Sequence, residues 1–245
     1  MEVTTNNSKR LVLVSGRAHQ ELAQEVAEIL GTKLLPTTAY DFANGETFVR
    51  YEESVRGVDA FVIQAHPAPI NHWIMEQLLM VDALKRASAK RITVVSPDSG
   101  RVRVADIWAD RLGAPLAISH KRRDPDRPNQ VEAHELVGDV KGRTCLLVDD
   151  MIDTAGTIVA AAEALKANGA GRVIVAATHA VFSAPAVARL SSGAVDEVIV
   201  TNTLPITADK QFANLTVLSI APLIAAAISA VFGDDSVNSL FPGHA

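Results

Sequence analysis

A buried strand that runs into acids, a tight turn and a helix constrains this chain more than any other stretch. The apolar run Cys145-Leu146-Leu147-Val148, bounded by Gly142-Arg143, reads as an interior strand over Thr144–Val148. Ile158 to Ala167 reads as an Ala-rich helix that stops at Asn168-Gly169. Between them stand Asp149, Asp150, Asp153, Thr154, Ala155, Gly156 and Thr157. This order puts two carboxylates at the carboxyl end of a strand and a small-residue turn at a helix start. Amides at a helix start favour an anion, and threonine hydroxyls add donors to phosphate oxygens. Adjacent acids at the same lip accept hydrogen bonds from paired sugar hydroxyls or hold a divalent cation. A phosphate beside a vicinal diol describes a ribose 5-phosphate. The plainer alternative is a helix capped by Asp153 or Thr154, although a cap requires one such residue and this turn supplies several.

Short apolar runs alternate with helical stretches along the whole chain, the pattern of an α/β protein with a mainly parallel sheet. Strands are expected at Leu11–Ser15, Thr47–Tyr51, Ala60–Gln64, Ile92–Ser96, Leu116–Ser119, Val173–Ala177, Glu197–Thr201 and Leu215–Ser219. Helices are expected at His19–Leu30, Asn71–Ala87, Val102–Leu112, Gly156–Asn168, Ala184–Ser191 and Pro222–Phe232. In the second helix Ile74, Leu78, Val81 and Leu84 recur at helical spacing and predict one apolar face. The charge-rich stretch Thr47–Glu53 predicts an antiparallel flap. His120–Gly138 lacks apolar periodicity, which suits a lid or a disordered segment. A domain boundary is expected near Val94–Pro97, dividing residues 1–95 from 96–245.

Composition narrows the classes. With 48% hydrophobic and 21% charged residues the chain suits a folded protein with a sizeable core. A net charge of −5 gives no general nucleic-acid footprint. The one cysteine, Cys145, excludes an internal disulfide and points to a reducing compartment. No apolar run reaches a membrane span, and Met1–Arg10 lacks the apolar core of a signal peptide, so a cytoplasmic location is expected.

The segment Asp149–Thr157 resembles the phosphoribosyl-binding loop shared by phosphoribosyltransferases and ribose-phosphate diphosphokinases. Other segments are similar to the diphosphokinases in particular, and they occur in that family's order. They are Asp41-Phe42-Ala43-Asn44-Gly45-Glu46, Glu52–Gly57, Met80–Ala87, Ser96-Pro97-Asp98-Ser99-Gly100, Lys121-Arg122-Arg123, Thr201-Asn202-Thr203 and Leu218–Leu223. The resemblance implies two phosphoribosyltransferase-like parallel-sheet domains and transfer of diphosphate from ATP to ribose 5-phosphate. It implies Mg²⁺ at Asp98, diphosphate at the Ser99 and Gly100 amides, and ribose 5-phosphate along Asp149–Thr157. Lys121 and Arg123 match the cations of a catalytic flexible loop. Phe42, Asn44 and Glu46 match a loop that reaches adenine in a neighbouring subunit, which implies a homo-oligomer, a hexamer in that family.

The chain also departs from the family. Arg91-Ile92-Thr93-Val94-Val95 passes directly into Ser96-Pro97-Asp98. Against the family's length of a little over three hundred, roughly seventy residues are absent at this point, which truncates the N-terminal domain. The absent stretch would carry an Arg-Gln pair on the triphosphate and a His that joins Asp98 at the metal. Asn44 stands where the family commonly has Asp, and Arg101 takes a place near one of two usual glycines. Two other functions share the loop: a non-catalytic subunit that modulates a full-length synthetase, and a nucleobase phosphoribosyltransferase. Phe42–Glu46, Lys121–Arg123 and the lack of a base-binding hood stand against the last.

Overall fold

The computed structural model describes residues 9–95, 118–121, 134–137 and 139–240. The expected strand Ile92–Ser96 is thus described to Val95, and the expected helix Val102–Leu112 lies outside the described residues. The chain forms two compact units, and the division does not follow chain order. Residues up to 98, 203–205 and 219 onward form the first; residues 99–202 and 206–218 form the second.

In the first unit β1 (Leu11–Ser15), β4 (Asp59–Ile63) and β5 (Arg91–Val95) build a parallel sheet in the order β1-β4-β5. Leu13 lies opposite Phe61, and Phe61 opposite Thr93. β4 is buried along its whole length, which suits its apolar run and its central place in a parallel sheet. One side of the sheet packs Leu13, Phe61 and Ile63 against Leu22 and Val26 of α1 (Gln20–Ile29). Ile224 and Ile228 of α5 (Ala221–Gly233) complete that core. α5 is apolar around most of its circumference and needs cover; each fully buried branched side chain contributes roughly 1.5–3 kcal/mol. The other side packs Val14, Val62 and Val58 against Met80 and Leu84 of α2 (Ile70–Arg86).

A clasp of charge closes this unit at the carboxyl end of α5. Asp59 is buried and takes the Nε of Arg91 at 2.9 Å. Arg91 Nη1 continues to Asp234 Oδ1 at 2.7 Å, and Lys9 also binds Asp234. These cations hold the Asp234 carboxyl down at about 2, Lys9 first and then Arg91.

The antiparallel flap expected for this unit is present, whereas the expected face of α2 needs correction. The flap is an antiparallel pair of β2 (Thr37–Asp41) and β3 (Thr47–Tyr51), and its first strand was not read from the sequence. The core face of α2 is Glu76, Met80 and Leu84, whereas Ile74 and Leu78 are exposed. The periodicity there marked an apolar stripe of which Leu84 and Val81 reach the core and Ile74 and Leu78 do not.

The second unit carries β8 (Thr144–Ile152), β9 (Arg172–Ala180), β10 (Glu197–Thr201) and β11 (Leu215–Leu218). They form a parallel sheet in the order β11-β10-β9-β8. α3 (Gly156–Ala167) and α4 (Ala186–Leu190) cover it. Ile158, Val159, Ala162 and Leu165 of α3 enter a core with Val173, Val175, Val198 and Val200. Cys145 packs at the edge of this core, where burial pushes its thiol pKa up. The loop expected over His120–Gly138 is partly a ribbon: β6 (Ile118–Lys121) pairs antiparallel with β7 (His134–Val137).

Candidate functional site

β8 is longer than its apolar run. Its pairing with β9 continues through Asp149↔Ala177 and Met151↔His179 to Ile152↔Ala180. Asp149 and Asp150 therefore lie inside the strand and not beyond it. The pleat turns successive side chains to opposite faces, so the two acids flank the end of β8. Asp149 is exposed and Asp150 half-buried. Asp149 Oδ1 accepts from the Asp150 amide at 2.8 Å, and Asp150 Oδ1 from the Met151 amide at 2.9 Å.

After buried Ile152 the chain exposes Asp153 and Thr154, then buries Ala155. Ala155 has φ 58° and ψ 8°, the left-handed region that residues with a Cβ rarely adopt. This residue is the N-cap of α3, and no side-chain hydrogen bond caps the helix. The alternative of an Asp153 or Thr154 cap is thereby corrected. The first helical bond runs from the Val159 amide to the Ala155 carbonyl at 3.0 Å. The amides of Gly156, Thr157 and Ile158 precede it and have no partner within the helix. A bend, a left-handed residue and uncapped amides make a concavity suited to an anion.

Arg189 of α4 reaches this turn from a different element. Its Nη1 donates to the Thr154 carbonyl at 2.9 Å. A Cβ placed on Gly156 would lie 3.2 Å from the same nitrogen, so glycine leaves room for the guanidinium. Sequence reasoning missed Arg189, whose partner lies 35 positions away.

The flap is a second, separate group on the first unit. The Phe42 amide donates to the Glu46 carbonyl at 2.8 Å, and the Gly45 amide to the Phe42 carbonyl at 2.8 Å. Asn44 Oδ1 accepts from the Glu46 amide at 3.1 Å, and Gly45 has φ 86°. Phe42 forms a cluster with Tyr40 at 5.1 Å and Phe48 at 6.3 Å between ring centroids. Tyr40 and Phe42 are both exposed, an aromatic surface open to a planar partner.

Lys121 ends β6, opposite His134. Asp98, Ser99, Gly100 and Arg123 lie outside the described residues. Among the described residues no group of three His, Cys, Asp or Glu side chains could hold a metal ion.

Both groups lie within segments that match known proteins. Residues 11–106 match the N-terminal domain of ribose phosphate pyrophosphokinase, and residues 127–242 the phosphoribosyl synthetase-associated domain. The ribose-phosphate pyrophosphokinase of Streptomyces coelicolor is 48% identical, over 98% of this chain and 98% of its own. This chain belongs to the ribose-phosphate pyrophosphokinase family. The Mycobacterium tuberculosis pyrophosphokinase is 47% identical over 98% of both chains. The crystal structure of phosphoribosylpyrophosphate synthetase from Mycobacterium smegmatis is similar with TM-score 0.84 and 46% identity. That similarity covers 92% of this chain and all of the other. The alignment with the Streptomyces pyrophosphokinase extends over 318 positions, against 245 residues here, so at least 73 positions have no counterpart in this chain. No helix among the described residues is long and apolar enough to cross a membrane.

Proposed function

We propose that the chain makes phosphoribosyl pyrophosphate in the cytosol, moving the β,γ-diphosphoryl group of ATP onto the anomeric hydroxyl of ribose 5-phosphate and releasing AMP. The uncapped start of α3 behind left-handed Ala155 is the observation that carries this reading. Asp153, Thr154, Ala155, Gly156 and Thr157 cradle the 5-phosphate through amides and hydroxyls. Asp149 and Asp150, flanking the end of β8, take the ribose hydroxyls. The anomeric oxygen attacks the β-phosphorus, and the bond from that phosphorus to the AMP oxygen breaks. Such transfer relies on positioning and on charge held over the moving group. Lys121 and Arg123 supply that charge, and the Ser99 and Gly100 amides hold the diphosphate. Mg²⁺, which takes one or two carboxylates together with substrate phosphates, would be held by Asp98 and supplies charge neutralisation there. Phe42, Asn44 and Glu46 receive adenine from an adjacent copy of the chain.

Exposed Ile70, Ile74, Met75 and Leu78 along α2 support a homo-oligomer, because a contiguous apolar stripe favours a partner. A hexamer is the assembly we infer from the family.

AMP release that depends on both ATP and ribose 5-phosphate tests the activity. Calorimetry tests the cradle: Asp153→Ala should weaken ribose 5-phosphate binding roughly ten- to a hundredfold, the usual effect of removing charge-assisted hydrogen bonds. Equal affinity in both proteins would sink the assignment.

The 73 or more unmatched positions favour a second reading. We place the gap between Val95 and Ser96, where it removes the triphosphate-gripping Arg-Gln segment. In that case the chain binds ribose 5-phosphate and modulates a full-length synthetase. No AMP release by the chain alone, with an altered rate when mixed with that synthetase, would select it.

A further inference from the structure

Glu76 has no exposed surface, and a buried carboxylate is tolerated only when it is paired and hydrogen-bonded. Arg17, just past β1, meets that need twice: its amide donates to Oε1 at 2.8 Å and its Nε to Oε2 at 2.5 Å. Gln64 Nε2 adds a third bond to Oε1 at 3.1 Å. The guanidinium then has both terminal nitrogens beyond Glu76, and Nη2 also lies 3.5 Å from Nε2 of His72 on α2. Nη1 reaches Asp41 Oδ2 at 3.1 Å and Nη2 reaches Asp41 Oδ1 at 2.9 Å, a two-pronged contact that only Arg can make. Asp41 also accepts from Thr47 Oγ1 at 2.8 Å across the ribbon. Asp41 is the last residue of β2, and Phe42 follows it.

A two-stranded ribbon is marginal alone, so its direction depends on what grips its root. We propose that the Arg17–Asp41 pair is a positioning clasp, fastened through buried Glu76 to α2, that fixes the direction of the nucleotide-recognising tip Phe42–Glu46. It rests on the adenine reading of that tip. Arg17 and Asp41 touch no substrate themselves; they act through the tip. Releasing them leaves the tip in its receptive direction for a smaller share of time. Apparent affinity falls by the same share.

Asp41→Asn separates the clasp from the buried pair, because Arg17 keeps Glu76 in that variant. ATP binding by the full chain should weaken roughly five- to tenfold, the loss expected if the receptive share falls to about a tenth or a fifth. Ribose 5-phosphate affinity and Tm should stay at wild-type values, amide exchange at residues 42–46 should rise, and Asp41→Glu should restore part of the ATP affinity. Arg17→Lys should reproduce the ATP loss, since lysine can neutralise Glu76 but cannot fork onto Asp41. Wild-type ATP affinity in Asp41→Asn, with a loss in Phe42→Ala, overturns the clasp and keeps the adenine reading. No ATP effect in Phe42→Ala overturns the adenine reading; amide exchange then decides the clasp alone, and wild-type exchange in Asp41→Asn refutes it.

Discussion

Arg189 shows how a residue can serve a site from outside its motif. Its hydrogen bond to the Thr154 carbonyl holds the turn in which Ala155 adopts a left-handed backbone. A cation beside the uncapped start of α3 would also favour the 5-phosphate proposed to bind there. Arg189→Ala should weaken ribose 5-phosphate binding about tenfold, near the lower range for bonds to charged groups, since Arg189 is exposed. Arg189→Lys should recover part of it. Calorimetry checks both, and wild-type affinity in Arg189→Ala would show that the turn holds itself. The strand–turn–helix order over Asp149–Thr157 was legible in the sequence because strand, acids, glycine and helix follow one another without interruption. Arg189 and Arg17 were not. Arg17 finds Asp41 24 positions away and Glu76 59 positions away, and no local pattern encodes either meeting.

Elements were legible where one face met one core. β1, β4 and β10 were read within one residue of their observed bounds because each is centred on a short apolar run, whereas β9 was ended at Ala177, three residues before Ala180. β8 was cut short at Val148 because acids are poor strand formers, yet pairing to β9 carries the strand through them. α2 misled for the opposite reason: a glutamate occupies its buried face, neutralised by Arg17, while leucine and isoleucine face outward. The link between α5 and the sheet has a pH signature. Asp234 has a folded pKa near 2 against an ordinary 3.8, so its contribution is complete above about 4 and is lost as pH falls through the folded value. Asp234→Asn should lower Tm at pH 7 and lower it much less near pH 2. Thermal melts across that range check it, and an equal deficit at both pH values would exclude the ion pairs as the cause.

At the scale of the molecule, the α/β class was legible from strand–helix alternation, and the division into units only in part. Nothing local marks residues 219–240 as members of the first unit; their apolar surface is satisfied by α1 and β4, far upstream. The exposed stripe on α2 belongs to this scale too, because Ile74, Met75 and Leu78 lack cover within their own unit. Leu78→Glu should shift the chain toward monomer while the protomer still folds, since the side chain is 58% exposed. Light scattering at micromolar concentration checks the mass, and an unchanged oligomer would move the interface elsewhere.

The return of α5 also sets an order of events during synthesis. Leu13, Leu22 and Phe61 leave the ribosome more than 160 residues ahead of Ile224 and Ile228, the side chains that seal them. The strands β8, β9 and β10 and the helix α3 need no later partner of that kind and can pack while translation continues. The first unit is thus completed only after the second unit's sheet has been made, and a chain released before residue 221 would keep β1 and β4 without that cover.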